Sequence, residues 1–151
     1  MKRVPVNPEI QGRTYPPTPP YLVGREKVRE FARAVFATNP INFDPEAARA
    51  AGHADVVAPP TFPVVVQEQA LAQLLADGDA GIDFARVVHG DQRFEYSRPV
   101  VAGDELTAQL TVTSVKLLGG NAMVTAATAI HDAAGEHVVT ATSSLVVRGD
   151  D

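Results

Sequence analysis

The chain has 151 residues, a formal net charge of -5 and 45% hydrophobic residues; that length fits one domain built round one core. Without a run of Lys or Arg, the acidic balance disfavours nucleic acid or an anionic membrane as the main partner. The absence of cysteine excludes disulfides, thiolate nucleophiles and Cys-based zinc sites, and with neither a ~20-residue apolar span nor an apolar signal core the protein is expected in the cytoplasm.

Six of the 12 prolines fall within residues 1–20. Proline fixes φ and removes a backbone donor, so this segment favours extended backbone over helix. It is read as an arm, residues 1–20, lying across a domain formed by residues 21–151. Residues 25–37 carry Val28, Phe31, Ala32 and Val35 at helical spacing, with Arg25, Lys27, Arg29 and Arg33 off that stripe. Glu30 and Arg33 are placed to pair across one turn. Asn39-Pro40 ends the helix, because the residue before proline disfavours the α region.

A short helix follows, with Asp44 as N-cap, Pro45 at its first position and Gly52 as its stop. A third helix spans 62–76 after Ala58-Pro59-Pro60-Thr61. It is apolar nearly all round over its first turns, the pattern of a helix buried in a core. From residue 86 the period becomes two. Leu106, Ala108, Leu110 and Val112 alternate with polar residues, as do Val139, Ala141, Leu145 and Val147, while Phe94 and Tyr96 alternate with Arg93 and Glu95. Turns at Ala102-Gly103-Asp104, Gly119-Gly120-Asn121 and Ala133-Ala134-Gly135 divide the region into four strands, expected in antiparallel meander order. Helices followed by strands give an α+β domain, with the helix at 62–76 covering one face of the sheet.

Three segments resemble the MaoC-like hydratases and dehydratases. They are Asn39-Pro40-Ile41-Asn42-Phe43-Asp44-Pro45-Glu46, Val57-Ala58-Pro59-Pro60-Thr61-Phe62, and Val88-His89-Gly90-Asp91-Gln92-Arg93-Phe94-Glu95-Tyr96 followed by Arg98-Pro99-Val100-Val101-Ala102-Gly103-Asp104. The third looks like the non-catalytic N-terminal half of double-hot-dog enoyl-CoA hydratases. It is also similar to the accessory subunits of the actinobacterial (3R)-hydroxyacyl-carrier-protein dehydratase. The resemblance implies a single hot-dog domain, an antiparallel sheet wrapped around a central apolar helix. Its implied ligand is an acyl thioester of CoA or of acyl carrier protein. Its implied partner is a catalytic MaoC-like subunit in a heterodimer, or a second copy in a homodimer. No cofactor and no metal is expected.

Dehydrating a 3-hydroxyacyl thioester needs an acid/base group beside the reacting carbons and donors for the enolate-like oxygen. Where the family keeps its Asp and His, this chain has Ala37 and Asn42, neither of which titrates usefully. The family's oxyanion donor is a glycine N–H at the start of the central helix. That position falls on Pro60, which has no N–H, or with an offset of one residue on Thr61. The catalytic dyad and oxyanion position are therefore expected to be degenerate. Asn39, Thr61, Phe62 and His89 are the expected substrate contacts.

Other polar residues have plainer readings. His89 with Asp91 forms a conceivable acid/base pair, but local packing at a strand start accounts for it. His53 is expected in an exposed loop. His131 and His137 flank a turn and are able to meet across a hairpin, a weak metal signal. Asp44 is better read as a cap than as a displaced acid. Arg98, Lys116 and Arg148 are charged residues at strand ends, expected to be solvated.

The leading reading is an accessory, catalytically degenerate subunit of a (3R)-hydroxyacyl-thioester dehydratase in fatty-acid elongation. The alternatives are an independent thioesterase or hydratase using His89 and Asp91, and a non-enzymatic homodimeric acyl-thioester-binding protein.

Overall fold

A computed structural model describes residues 6–149. Residues 1–5 of the expected arm lie outside the described residues. The described elements are β1 (Tyr21–Leu22), α1 (Arg25–Ala34), α2 (Pro45–Ala50), α3 (Val64–Ala76), β2 (Val87–Tyr96), β3 (Glu105–Leu118), β4 (Asn121–His131) and β5 (His137–Val147), with 3-10 turns at Pro8–Ile10, Pro40–Asn42 and Phe84–Arg86.

The strands form one antiparallel sheet in the order β1-β3-β4-β5-β2. β3, β4 and β5 are the expected meander. Between β3 and β4 the chain reverses at Gly119 and Gly120, both at positive φ (57° and 91°), a turn that favours glycine. The expectation that β2 leads the meander is wrong. β2 does not pair with β3; it crosses to the far side and pairs with β5, from Val87↔Val147 to Tyr96↔Val139. Alternation reports which side chains face the core but not which strand lies beside which.

The period-two residues of β3 and β5 are buried as their pattern requires: Leu106, Ala108, Leu110, Val112, Val139, Ala141, Leu145 and Val147. α3 lies on this face and buries Val66, Gln67, Ala70 and Leu74. Its all-round apolar character does not make it all-round buried. Glu68 and Gln69 are exposed, and Val65 and Leu71 are only partly covered. The chain is an α+β hot-dog domain, with the sheet on one side of the central helix.

α1 is shorter than its apolar stripe. It ends at Ala34, and Phe36 follows in the left-handed region at φ 59°. The buried residues are Val28 and Ala32; Val35 is 44% exposed and leaves the stripe. Glu30 pairs with Lys27 at 3.1 Å instead of with Arg33. Phe31 packs edge-to-face on Phe62, with ring centroids 5.4 Å apart, and so fixes α1 against the entrance of α3.

Residues 6–20 run along the outer edge of β3. The Tyr15 N–H donates to Leu110 O at 2.9 Å and the Thr18 N–H to Ala108 O at 2.8 Å, and Thr14 bridges Thr111. Val6, Ile10, Tyr15 and Thr18 are buried there. One turn of 3-10 helix at Pro8–Ile10 interrupts the extended backbone; Asn7 caps it, and Pro8 sits where no donor is needed.

Candidate functional site

The loop after α1 is built by two side-chain caps. Asn39 Oδ1 accepts from the Ile41 N–H at 3.2 Å and opens the 3-10 turn Pro40–Asn42. Asp44 Oδ1 accepts from the Glu46 N–H at 2.9 Å and opens α2, so Asp44 is a cap. Gly52 follows α2 at φ 96°. Between the caps, Asn42 is buried and donates Nδ2 to Val57 O at 2.6 Å. The Val57 N–H donates to Ile41 O at 2.9 Å, and Ala58 N–H to Val100 O at 2.8 Å. These bonds stitch the loop to the segment entering α3, and that segment to the residues after β2.

The three stitched segments line a cleft of about 590 Å³. Asn39, Ile41 and Asn42 come from the loop, Val57, Ala58 and Pro60 from the α3 entrance, and Tyr96, Ser97, Arg98 and Pro99 from the end of β2. Half of this lining is apolar. Among these residues there is no carboxylate and no imidazole. Asn42 has committed its amide to Val57 O. Tyr96 donates its hydroxyl to Pro60 O at 2.5 Å, and burial pushes its phenol up to about 12, so it stays protonated near neutral pH. Arg98 is held by Asp104 at 2.9 Å and Asp132 at 3.1 Å, a bridge between the β2 end and the β4–β5 turn rather than a solvated strand-end charge.

The cleft gathers Asn39, Asn42 and Pro60 but not every expected site residue. Ala37 is not in the lining; its N–H is bonded to Ala32 O at 2.9 Å. Thr61 is exposed and outside the lining. Phe62 has no exposed surface and packs in the core on Phe31, so it has no face to offer a ligand in this structure. His89 lies elsewhere, in a recess of about 160 Å³ between α3 and β2 with Gln67, Glu68, Gln92 and Ser143. The sheet register shifts between His89 and Asp91, and among the described residues no hydrogen bond joins them. Deep in that recess Gln67 donates to Ser143 Oγ, which donates to Gln92 Oε1, so a buried glutamine of the central helix is anchored to the sheet. His53 is half-buried rather than exposed.

His131 and His137 do meet, with ring centroids 5.7 Å apart. Both nitrogens of His137 are engaged, Nδ1 with Ser97 Oγ at 2.6 Å and Nε2 with Thr140 Oγ1 at 2.7 Å. Among the described residues no group of three metal-ligating side chains is found. Sequence reading missed the contribution of Tyr96, Ser97 and Pro99 to the cleft. Tyr96 and Pro99 lie within the resembling segments and Ser97 between them, and the strand alternation marks Tyr96 only as an apolar member; it is 40% exposed.

Comparison with known proteins bears on the whole chain. A UPF0336 protein of Leifsonia xyli subsp. xyli is 76% identical over 98% of this chain and 99% of its own length. One from Streptomyces avermitilis is 57% identical over 91% of each. Among solved structures, the truncated HadBC (3R-hydroxyacyl-ACP dehydratase) complex of Mycobacterium tuberculosis superposes at TM-score 0.82. It is 35% identical and covers 91% of this chain and 96% of that one. A MaoC-like dehydratase superposes at 0.81 with 36% identity, and this chain spans 42% of its length. The model of the family described as FAS1-like, dehydratase domain region matches residues 10–141. The chain therefore belongs to the FAS1-like dehydratase-domain family, among the MaoC-like hot-dog dehydratases.

Proposed function

We propose that this chain is an accessory subunit of a (3R)-hydroxyacyl-thioester dehydratase, supplying acyl-binding surface to a catalytic hot-dog partner. The observation that carries the reading is the cleft itself. It is assembled from the family's three segments, yet its lining holds no carboxylate and no imidazole, and so neither member of the family's Asp/His pair. Loss of a positioned base removes about 10²–10⁴ in rate, and loss of an oxyanion donor about 10²–10³. Pro60 lies in the cleft and Thr61 does not, which favours Pro60 as the degenerate oxyanion position.

The apolar share of the lining (Ile41, Val57, Ala58, Pro60 and Pro99) suits a hydrocarbon chain better than a polar substrate. β2 supports the partner. It is a ten-residue strand at one end of the sheet, paired on one side only, with Val88 51% exposed. A long open edge is the feature that sheet continuation across two chains removes. The similarity to the HadBC complex supports the same arrangement here.

The reading is tested by narrowing the cleft. In a complex with a catalytic hot-dog subunit, Ile41→Trp is expected to slow turnover of long-chain enoyl thioesters about tenfold or more. Crotonyl-CoA hydration by the same complex is expected to stay near its original rate. Equal handling of long and short chains by this variant would show that the cleft does not hold the acyl group.

A further inference from the structure

We propose that Ser97 is an acyl-accepting nucleophile with His137 as its base, giving the chain a hydrolytic activity of its own toward acyl esters and thioesters. Ser97 follows the last residue of β2, and its backbone is pinned because its N–H donates to Val138 O at 2.8 Å. Its side chain is exposed and lines the 590 Å³ cleft. Its Oγ lies 2.6 Å from His137 Nδ1.

A nucleophile within hydrogen-bond reach of a base, with the base held by a third group, is the arrangement that activates serine. Here the third group is Thr140, whose Oγ1 lies 2.7 Å from His137 Nε2. In the tautomer with Nε2–H donating to Thr140, Nδ1 is the acceptor for the Ser97 proton. The His131 ring, edge-on at 5.7 Å, limits how far the imidazole can turn. Asn39 lines the same cleft; its Oδ1 is occupied by the Ile41 N–H, which leaves the Nδ2 amide as a donor for a developing oxyanion. Arg98, which follows Ser97, is joined to Asp104 and to Asp132, and Glu136 precedes His137.

The step balances within these groups and water. His137 Nδ1 takes the hydroxyl proton as Ser97 Oγ bonds to the acyl carbonyl carbon. The bond from that carbon to sulfur or oxygen breaks, and the leaving thiolate or alkoxide takes the proton from Nδ1. Water then attacks the Ser97 ester, giving its proton to Nδ1 in turn, and the acid departs as the serine hydroxyl is restored. The sum is one ester or thioester and one water converted to one acid and one alcohol or thiol. The thioester as natural substrate rests on the accessory reading above; the nucleophile does not.

The test uses the full chain without a partner, a fluorophosphonate probe with the labelled residue located by mass spectrometry, and p-nitrophenyl butyrate hydrolysis. The expected result is labelling at Ser97, none in Ser97→Ala, and a loss of about 100-fold or more in labelling rate and hydrolysis in His137→Gln. His89→Ala is expected to match the parent in both. No labelling, labelling at Ser114, Ser143 or Ser144 instead, or an unchanged rate in His137→Gln overturns the proposal. Because Ser97→Ala removes one exposed hydroxyl, loss of labelling there is not a folding effect. Ser97 labelling in a chain that fails to support a dehydratase partner would sink the accessory reading and leave this one standing.

Discussion

Asn42 shows how a position can lose one chemistry and keep another. The resemblance places it where active relatives carry their histidine. In this structure its amide is buried and donates to Val57 O at 2.6 Å, joining the loop to the entrance of α3. Asn42→Ala leaves that carbonyl without its partner, at a cost of about 1–3 kcal/mol. Urea denaturation is expected to show a lower midpoint at unchanged m-value. An unchanged midpoint would mean that Val57 O finds another donor at no cost. The cap at Asp44 was legible in the sequence, because an Asx side chain before proline acts on neighbours two residues away; the same role of Asn39 was missed, because Asn39-Pro40 reads as a helix end and the resemblance makes Asn39 a substrate contact. Ser97 with His137 was not legible. They are 40 residues apart and meet only because β2 crosses the sheet to lie beside β5.

That crossing is where pattern reading ran out among the elements. Period-two alternation identified β3 and β5 and their buried faces, since burial acts on every second side chain, but it did not reveal β1 or the exposure of Tyr96 on β2. Pairing order depends on a connection passing over the sheet, and alternation carries no record of it. The apolar run of α3 likewise revealed a helix that contacts the core but not the face left uncovered. The helices are held to the rest by polar clamps as well as by Phe31 on Phe62. Arg25 binds Asp55 through Nε at 2.9 Å and through NH2 at 2.8 Å, tying the start of α1 to the segment before α3. Arg25 holds the Asp55 carboxyl below its ordinary value of 3.8, with a smaller share from the Val56 N–H. A depressed carboxylate contributes stability above its unfolded pKa and loses it as pH falls through the folded one. Asp55→Asn is therefore expected to lower the urea midpoint at pH 7, with the gap to the parent closing below about pH 4. A gap independent of pH would mean that the clamp works through shape and not through charge.

As a whole, the molecule has a sheet with two differently treated ends. On β3 the arm and β1 occupy the outer edge, with hydrogen bonds from the Tyr15 and Thr18 N–H groups, and the arm buries Val6 and Ile10. At the other end β2 is open, and the exposed Val88 and Phe84 lie on or beside it. One side is closed by the chain's own sequence, and the other is the edge on which the proposed partner would continue the sheet. The cleft, with Asn42, Pro60 and Tyr96 but no carboxylate or imidazole in its lining, is consistent with the proposed division of labour, in which this chain holds the acyl group and a partner carries out the dehydration. The most direct measurement is crotonyl-CoA hydration by the purified chain, by a catalytic hot-dog subunit, and by the two together. The account predicts a lone-chain rate about 10⁴-fold or more below that of the mixture, and a mixture faster than the catalytic subunit alone. A lone chain turning over at a rate comparable to the mixture would contradict it.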